Sequence, residues 1–528
     1  MASFLLSTSM LVLLAAGTAA GDRGPGVAPT LPARPEANPG TATLSRFTLY
    51  GWVSPPTTFT TAERYAEFAN AGFNTTVLAW EDPGSLAENK KRLEFSRPVG
   101  VRNLLLDQRF DQVRGDDPAS MAVLDSIVSA YRDDPAFLGY YLGDEPRVER
   151  FPQLAEWFRL LRARDPAHPG WNNLLGRLAF PTRDSWIAYL RAYASQVQPA
   201  VLETDDYDHT NHGDHGQFVE NVAGTGQVAR EYGLPFWGVV LVIKHYDYRE
   251  VDDGLLRWQV AQWLSYGATG ICYFTYWTPA PDSTVNWGDG MIRWGSGERS
   301  PHYDQVRTLN LRLKPMGEAL ASLAWLSTEQ SGETPVGGTA FEPDSLVEAI
   351  EGRAVLGTFA DAQGTPHLFV ANRDSSAAQT LALNLAGERR VERFTDAGGW
   401  TTWPSTPTAH GRRVELTLEP GDFTLLRLSG GCDGLTAGAC SATLDAAPNP
   451  GSMSVRFAAT RVQGPATLML LDVNGRRVWA RTLAGDAPVA VWDGRTDDGV
   501  RVRPGFYWAR LADARGSVVR RVAWLGGK

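Results

Sequence analysis

Between Phe47 and about Leu326, the hydrophobic positions gather into eight short runs separated by stretches of helical periodicity. The runs are FTLYGWV (47–53), FNTTVLAW (73–80), VRNLLLD (101–107), FLGYYLGDE (137–145), PGWNNLLG (169–176), PAVLETDDY (199–207), PFWGVVLVI (235–243) and ATGICYFTYW (268–277). Most are continuously apolar rather than alternating, as parallel strands covered on both faces are. Between them, TTAERYAEFANAG places Tyr65 and Phe68 on one face, offers Thr60 with Glu63 as a capping box, and stops at Gly72. LAEWFRLLRARD (154–165) and LLRWQVAQWLSYG (255–267) read as further helices. Eight strand–helix units predict an α/β fold, a (β/α)8 TIM barrel over residues 44–327. An open doubly wound sheet is the alternative, but no Gly-rich phosphate loop follows any of the strands.

After Ser327 the pattern turns to short β-type runs with turn residues between them: VLGTFAD, HLFVANR, TLALNLA, VELTLEP and DFTLLRL. These predict an antiparallel β-sandwich over 333–429. A Gly/Cys-rich linker (430–445) leads to a second all-β domain over 446–528, in which Asn474-Gly475 is a hairpin turn signal. Neither β domain carries a chemical constellation. At the other end, FLLSTSMLVLLAAGTAAGD reads as a secretory signal over 1–20, followed by a Pro/Gly/Ala-rich leader over 21–43. That run is short for a bilayer, so no membrane span is expected once the signal is removed.

Composition narrows the function classes. A chain of 528 residues exceeds one ordinary core, which agrees with several domains. Net charge is −9 with no basic run, which argues against a nucleic-acid partner. The 18 Trp are enough to build stacking surfaces for flat hydroxylated ligands as well as large cores. Cys432 and Cys440 lie close enough in sequence for a local disulfide in an exported protein, and Cys272 reads as a small core residue.

Chemistry concentrates at the predicted strand tips. In FLGYYLGDEP an apolar strand ends in Asp144, Glu145 and Pro146. Barrel chemistry sits at that end of the strands, and glycoside hydrolysis needs a carboxylic acid there with a second carboxylate as nucleophile or base. Neighbouring Asp144 and the aromatic Tyr140 and Tyr141 would raise Glu145 towards a working proton donor. Strand six ends in Glu203, Asp205 and Asp206; alternation puts Glu203 and Asp205 on one face and Asp206 on the other. The second carboxylate is expected from Glu203 or Asp205. The alternatives are a loop acid beyond strand seven (Asp247, Glu250) or a nucleophile supplied by the substrate. Candidate sugar contacts are Asp144, Trp52, Trp80, Asp107, Asn173, Tyr207, Lys244, His245, Tyr276 and Trp277, with Glu81 and Asp82 nearby. Several could equally cap helices, and Trp277 could equally be packing at the barrel mouth. The loop YDHTNHGDHG (207–216) holds His209, His212 and His215 with Asp208 and Asp214. Its spacing is not a known closed metal site, and neither metal nor cofactor is expected for the reaction.

Two resemblances extend this reading. Gly51 to Pro56, Ala71-Gly72-Phe73-Asn74, Gly139 to Pro146 and Gly270 to Trp277 together resemble a family of exported bacterial glycoside-hydrolase-like barrels. The family is related in plan to the large retaining clan, whose acid/base follows strand four. The resemblance implies that Glu145 is the acid/base, with Asp144 standing where the clan has Asn. The clan's nucleophilic Glu after strand seven has no counterpart in Val242-Ile243-Lys244-His245. The segments Pro448-Asn449-Pro450, Asp472 to Gly475, Trp492 to Arg495, Asp498-Gly499 and Pro504 to Tyr507 resemble the FlgD-type immunoglobulin-like domain. That implies export or surface display, and contact with export machinery or the cell surface through this domain. The expectation is a secreted glycoside hydrolase acting on a poly- or oligosaccharide. The competing expectation is a catalytically inactive, surface-displayed barrel that binds carbohydrate. A zinc-dependent deacetylase or other metallohydrolase built on the histidine loop ranks third.

Overall fold

A computed structural model describes residues 47–78, 84–430 and, with short gaps, 443–526. Outside these lie the expected signal and leader, Trp80, Glu81 and Asp82, the pair Cys432 and Cys440, and the Asn474-Gly475 turn. No helix among the described residues is long and apolar enough to cross a membrane.

The eight apolar runs form eight parallel strands in chain order. These are β1 (Thr48–Trp52), β2 (Thr75–Val77), β3 (Arg102–Leu105), β4 (Phe137–Asp144), β5 (Gly170–Asn173), β6 (Leu202–Thr204), β7 (Phe236–Leu241) and β8 (Gly270–Phe274). The sheet runs from β5 through β1 and β8 to β6. A parallel bridge between Leu174 and Thr204 joins its two ends, and Leu174 N–H donates to the Glu203 carbonyl at 3.0 Å. The strands are shorter than the apolar runs because the run ends leave the ladder and become loop.

Helices cover the outside: α1 (Ala62–Asn70), α2 (Leu86–Ser96), α3 (Pro118–Tyr131), α4 (Phe151–Arg164), α5 (Arg183–Val197), α6 (Phe218–Tyr232), α7 (Asp253–Ser265) and α8 (Pro301–Ala321). The cap of α1 is Thr61, one residue later than expected; its hydroxyl accepts from Arg64 N–H, while Tyr65 and Phe68 are buried as the pattern required. Gly238 on β7 faces outward, and a Cβ there would lie 2.0 Å from the Trp263 indole of α7. Helix and sheet thus meet where a side chain is missing.

The barrel interior is aromatic. Tyr50, Trp52, Tyr141, Trp171 and Trp237 pack on one another with ring centroids 5.3–6.5 Å apart. The pile fills the tube from strand to strand.

Behind α7 lie a six-stranded antiparallel sheet and a four-stranded one, built from strands between Ala324 and Gly430. The six-stranded sheet shares a core with the barrel: Val355, Phe359, Phe369, Phe423 and Leu425 join the cluster that contains the barrel's own buried residues. Polar contacts follow the same seam. Arg257 donates to the Pro420 carbonyl at 2.9 Å, Thr328 donates to the Ser265 carbonyl at 2.6 Å, and the Arg230 guanidinium lies 3.6 Å from the Trp325 ring centre. By compactness the chain divides into this unit, essentially residues 47–429, and a C-terminal one formed mainly by 443–526. The second has its own core around Phe457, Trp479, Trp492 and Trp524, between a three-stranded and a four-stranded antiparallel sheet.

Candidate active site

The tip of β4 departs from simple alternation. Tyr141 pairs with Trp171, but the next paired residues are Asp144 and Asn173, so β4 spends three residues where β5 spends two. Such a bulge reverses which side chains face the interior. Gly143 takes it up with φ +129, and the Asn172 amide fixes it by donating to the Gly143 carbonyl at 2.8 Å. Asp144 therefore turns inward beside Asn173, whose amide nitrogen donates to its Oδ1 at 3.2 Å. Strict alternation from Tyr141 would have turned Glu145 inward instead. Glu145 is half-buried just past the strand with φ +42, a conformation rare for a residue with a Cβ. Its charge is felt by Tyr141, Tyr189, Tyr207 and Tyr248.

From β6, Glu203 and Asp205 share the inner face, at different depths. Glu203 has no exposed surface and accepts a short hydrogen bond from the Tyr50 hydroxyl inside the barrel. Burial pushes its carboxyl far above the usual range, and the Asp205 and Asp144 charges add to this against the Tyr50 bond. Glu203 is thus enclosed inside the barrel against Tyr50 of the aromatic pile. Asp205 is half-buried at the strand tip, close to Asn173 and Tyr207, and its buried Oδ1 has no hydrogen-bond partner.

Asp144 and Asp205 form a pair. Burial pushes Asp144 up to about 7 and the Asp205 charge adds to the push; burial pushes Asp205 up to about 6. Asn173, hydrogen-bonded to Asp144 and close to Asp205, favours the charged form of each. Asp144 is exposed at the strand tip, so the pair meets water on its side. Asp206 faces the other way, as alternation requires. It is buried near Arg177 and the Leu178 backbone and pushed up to about 8 by burial, then by Asp208 and Asp205.

Gly176 sets the position of Asp205. The loop after β5 crosses the tip of β6 so closely that a Cβ on Gly176 would lie 1.8 Å from the Asp205 carbonyl oxygen.

Beside the pair stands an aromatic wall. Tyr207 stacks on Phe274, with centroids 5.9 Å apart, and meets His245 and Tyr248 edge-on. His245 lies against Trp287 at 5.0 Å, and burial lowers its pKa so that the ring stays neutral. Trp287, Tyr207, Tyr248 and Phe274 are all partly exposed, and Tyr246 is 50% exposed. Lys244 is half-buried at the end of β7, where its carbonyl accepts from Gly288 N–H at 2.7 Å.

Several expected sugar contacts lie elsewhere. Trp277 and Tyr276 have no exposed surface. Trp277 packs on Phe59 at 4.8 Å under the Arg64 guanidinium, and Tyr276 packs on Phe68 and Phe73 outside the strands. Trp52 is 5% exposed within the aromatic pile. Asp107 is 1% exposed and committed to Arg109, with N–O contacts of 2.6 and 2.9 Å, and to the Tyr131 hydroxyl at 2.6 Å. Tyr140, expected beside the acid, points outward and donates to Asp165 at 2.7 Å. Sequence reasoning missed Trp287 and Tyr248, which come from loops without periodicity. The only hint was the clustering of aromatics after strands seven and eight.

Removing either side of the buried Tyr50–Glu203 pair should separate fold from chemistry. Tyr50→Phe leaves a buried carboxyl without its donor and should cost about 1–3 kcal/mol of stability. Glu203→Gln keeps a hydrogen-bonding group of the same shape and should fold with near-normal stability and function. Denaturant melts of both variants, with an assay of the second, check this.

No protein-family model matches the sequence. No curated protein matches it either. Among solved structures, a β-galactosidase from the psychrophilic Marinomonas ef1 is similar at 12% identity, with TM-score 0.39, over 52% of this chain and 62% of that one. A GH27 β-L-arabinopyranosidase from Geobacillus stearothermophilus is similar at 11% identity, with TM-score 0.41, over 75% of this chain and 99% of that one. An Anoxybacillus α-amylase is similar at 10% identity, with TM-score 0.41, over 73% and 98%.

Proposed function

We propose that this chain is a glycoside hydrolase whose acid–base work is done by Asp144 and Asp205 at the mouth of the barrel. The observation that carries the reading is the pair itself: two neighbouring carboxyls at the tips of β4 and β6, both raised, with Asn173 hydrogen-bonded to Asp144 and Asp144 exposed to water. Two carboxylates this close oppose each other's ionisation, so near neutrality the pair holds one proton between them. That leaves one group able to protonate a glycosidic oxygen and one able to act as base or nucleophile. Asp144, the higher of the two, is the proton donor. Tyr207, Tyr248 and Trp287 offer the flat, partly exposed faces on which sugar rings stack. Glu145 stands at the rim as a substrate contact. The apolar N-terminal segment supports action outside the cell on a poly- or oligosaccharide, and the C-terminal unit is assigned to display or export.

The direct test is release of reducing sugar from a panel of polysaccharides and aryl glycosides; no turnover on any member would reject the reading. A second reading, a barrel that binds glycan without cleaving it, is favoured by the absence of a carboxylate at the tip of β7, where Val242-Ile243-Lys244-His245 stand. Glycan binding unaffected by changes at Asp144 or Asp205, with no turnover, would favour it.

The pH dependence follows from the pair. Below about 6 both carboxyls are protonated and the base is lost; above about 7 both are ionised and the acid is lost. The rate should peak between these values and fall on both sides, as a pH profile of kcat would show.

A further inference from the structure

The histidine loop after β6 has no part in the mechanism above, and the fold arranges it in a specific way. His209–Thr210 and Gly213–Asp214 form a two-residue hairpin that pairs His209 with Asp214. Asp208, one residue earlier, folds back so that ligand atoms of Asp208, His209 and Asp214 all lie within 4.8 Å of one another. His209 is 7% exposed, and its Nδ1 stands 2.8 Å from Asp214 Oδ1. Nδ1 faces Asp214, and the buried Nε2 has no hydrogen-bond partner. A buried ring nitrogen left unsatisfied beside two carboxylates is a group that a metal ion would satisfy. Asp208 is 6% exposed; Gln217 N–H donates to its Oδ1 at 3.0 Å, and a carboxylate buried this far still favours a nearby positive charge. Arg249 lies near Asp214 and supplies one positive charge against the two carboxylates. A cavity of about 280 Å³, lined by His209, Asp214 and Trp258 on the barrel side and by Arg353, Arg373 and Asp374 on the sandwich side, opens beside the cluster.

We propose that Asp208, His209 and Asp214 bind a divalent transition ion of the zinc or manganese class. One imidazole and two carboxylates suit those ions better than calcium or magnesium, which take oxygen alone. Three protein ligands leave an open position. Water can fill it. His212 is not part of the set; its ring is 85% exposed and lies 3.6 Å from Asp247. The ion would pin the loop that begins at Asp205 and Tyr207, so its role is to hold the mouth in place and not to activate water at the acid pair.

The test uses the whole chain and reads binding instead of hydrolysis, so it stands or falls apart from the glycosidase reading. The purified protein is dialysed against chelator, then titrated with Zn²⁺ and with Mn²⁺, followed by calorimetry, thermal melting and elemental analysis after gel filtration. The expected result is one equivalent retained per chain for at least one ion, with a melting point several degrees higher. His209→Ala and Asp214→Asn should each abolish both. Because Asp214 is half-exposed, Asp214→Asn removes a ligand without opening the core. No stoichiometric ion in the unaltered protein, or the same uptake in the folded Asp214→Asn variant, overturns the proposal.

Discussion

Asp205→Asn should fold normally and lose hydrolysis by about 10²–10⁴, the factor that a positioned acid or base supplies. Asp144→Asn should lose a comparable factor, while Glu145→Gln, changed at the rim, should lose markedly less. The double variant should be little worse than either single one, because the two carboxyls act as a unit. A second measurement needs no substrate. In Asp205→Asn, Asp144 loses the neighbouring negative charge that helps hold its proton, so its titration should move down from about 7. Carboxyl carbon shifts followed by NMR across the pH range would show the move. Full activity in Asp144→Asn with loss in Glu145→Gln would transfer the proton-donor role to Glu145.

The second large effect is expected at a residue with no side chain. Gly176→Ala would drive a methyl group against the Asp205 carbonyl oxygen, 1.8 Å from an ideal Cβ, and against the Asp206 side chain at 3.1 Å. Backbone cannot yield as a flexible side chain does, so the loop after β5 and the tip of β6 must separate. Overpacking of this kind costs about 1–3 kcal/mol. Shifting Asp205 by on the order of 1 Å should lower kcat by about 10². Denaturant unfolding and steady-state kinetics on the one variant check both halves. Normal kcat with lowered stability would mean that the position of Asp205 is set elsewhere.

The barrel was legible because parallel strands buried on both faces must be written as unbroken apolar runs, and all eight were found in order. The neighbourhood of the candidate site could be proposed from sequence for a related reason: strand tips are where a barrel ladder stops and polar side chains can begin. What alternation could not show is the extra residue in β4. Leu142 and Gly143 read as ordinary strand, yet the bulge there exchanges the facings of Asp144 and Glu145. Depth was equally hidden. Glu203 and Asp205 are equivalent by parity, but Glu203 is fully buried against Tyr50 and Asp205 is half-buried at the strand tip. Trp277 and Tyr276 sit at the end of an apolar run, where platform and packing look alike in sequence; burial against Phe59, Phe68 and Phe73 decides for packing. Trp287 comes from the irregular stretch between β8 and α8, which carries no period to read.

The shared core behind α7 bears on how the molecule can be divided. Ending the chain at residue 327 would strip Val355, Phe359, Phe369, Phe423 and Leu425 from the back of the barrel. It would leave an oily scar facing water, prone to clumping during expression. Anyone trimming this enzyme candidate for crystals or assays should keep 47–429 as one piece and treat the sandwich as the barrel's rear wall.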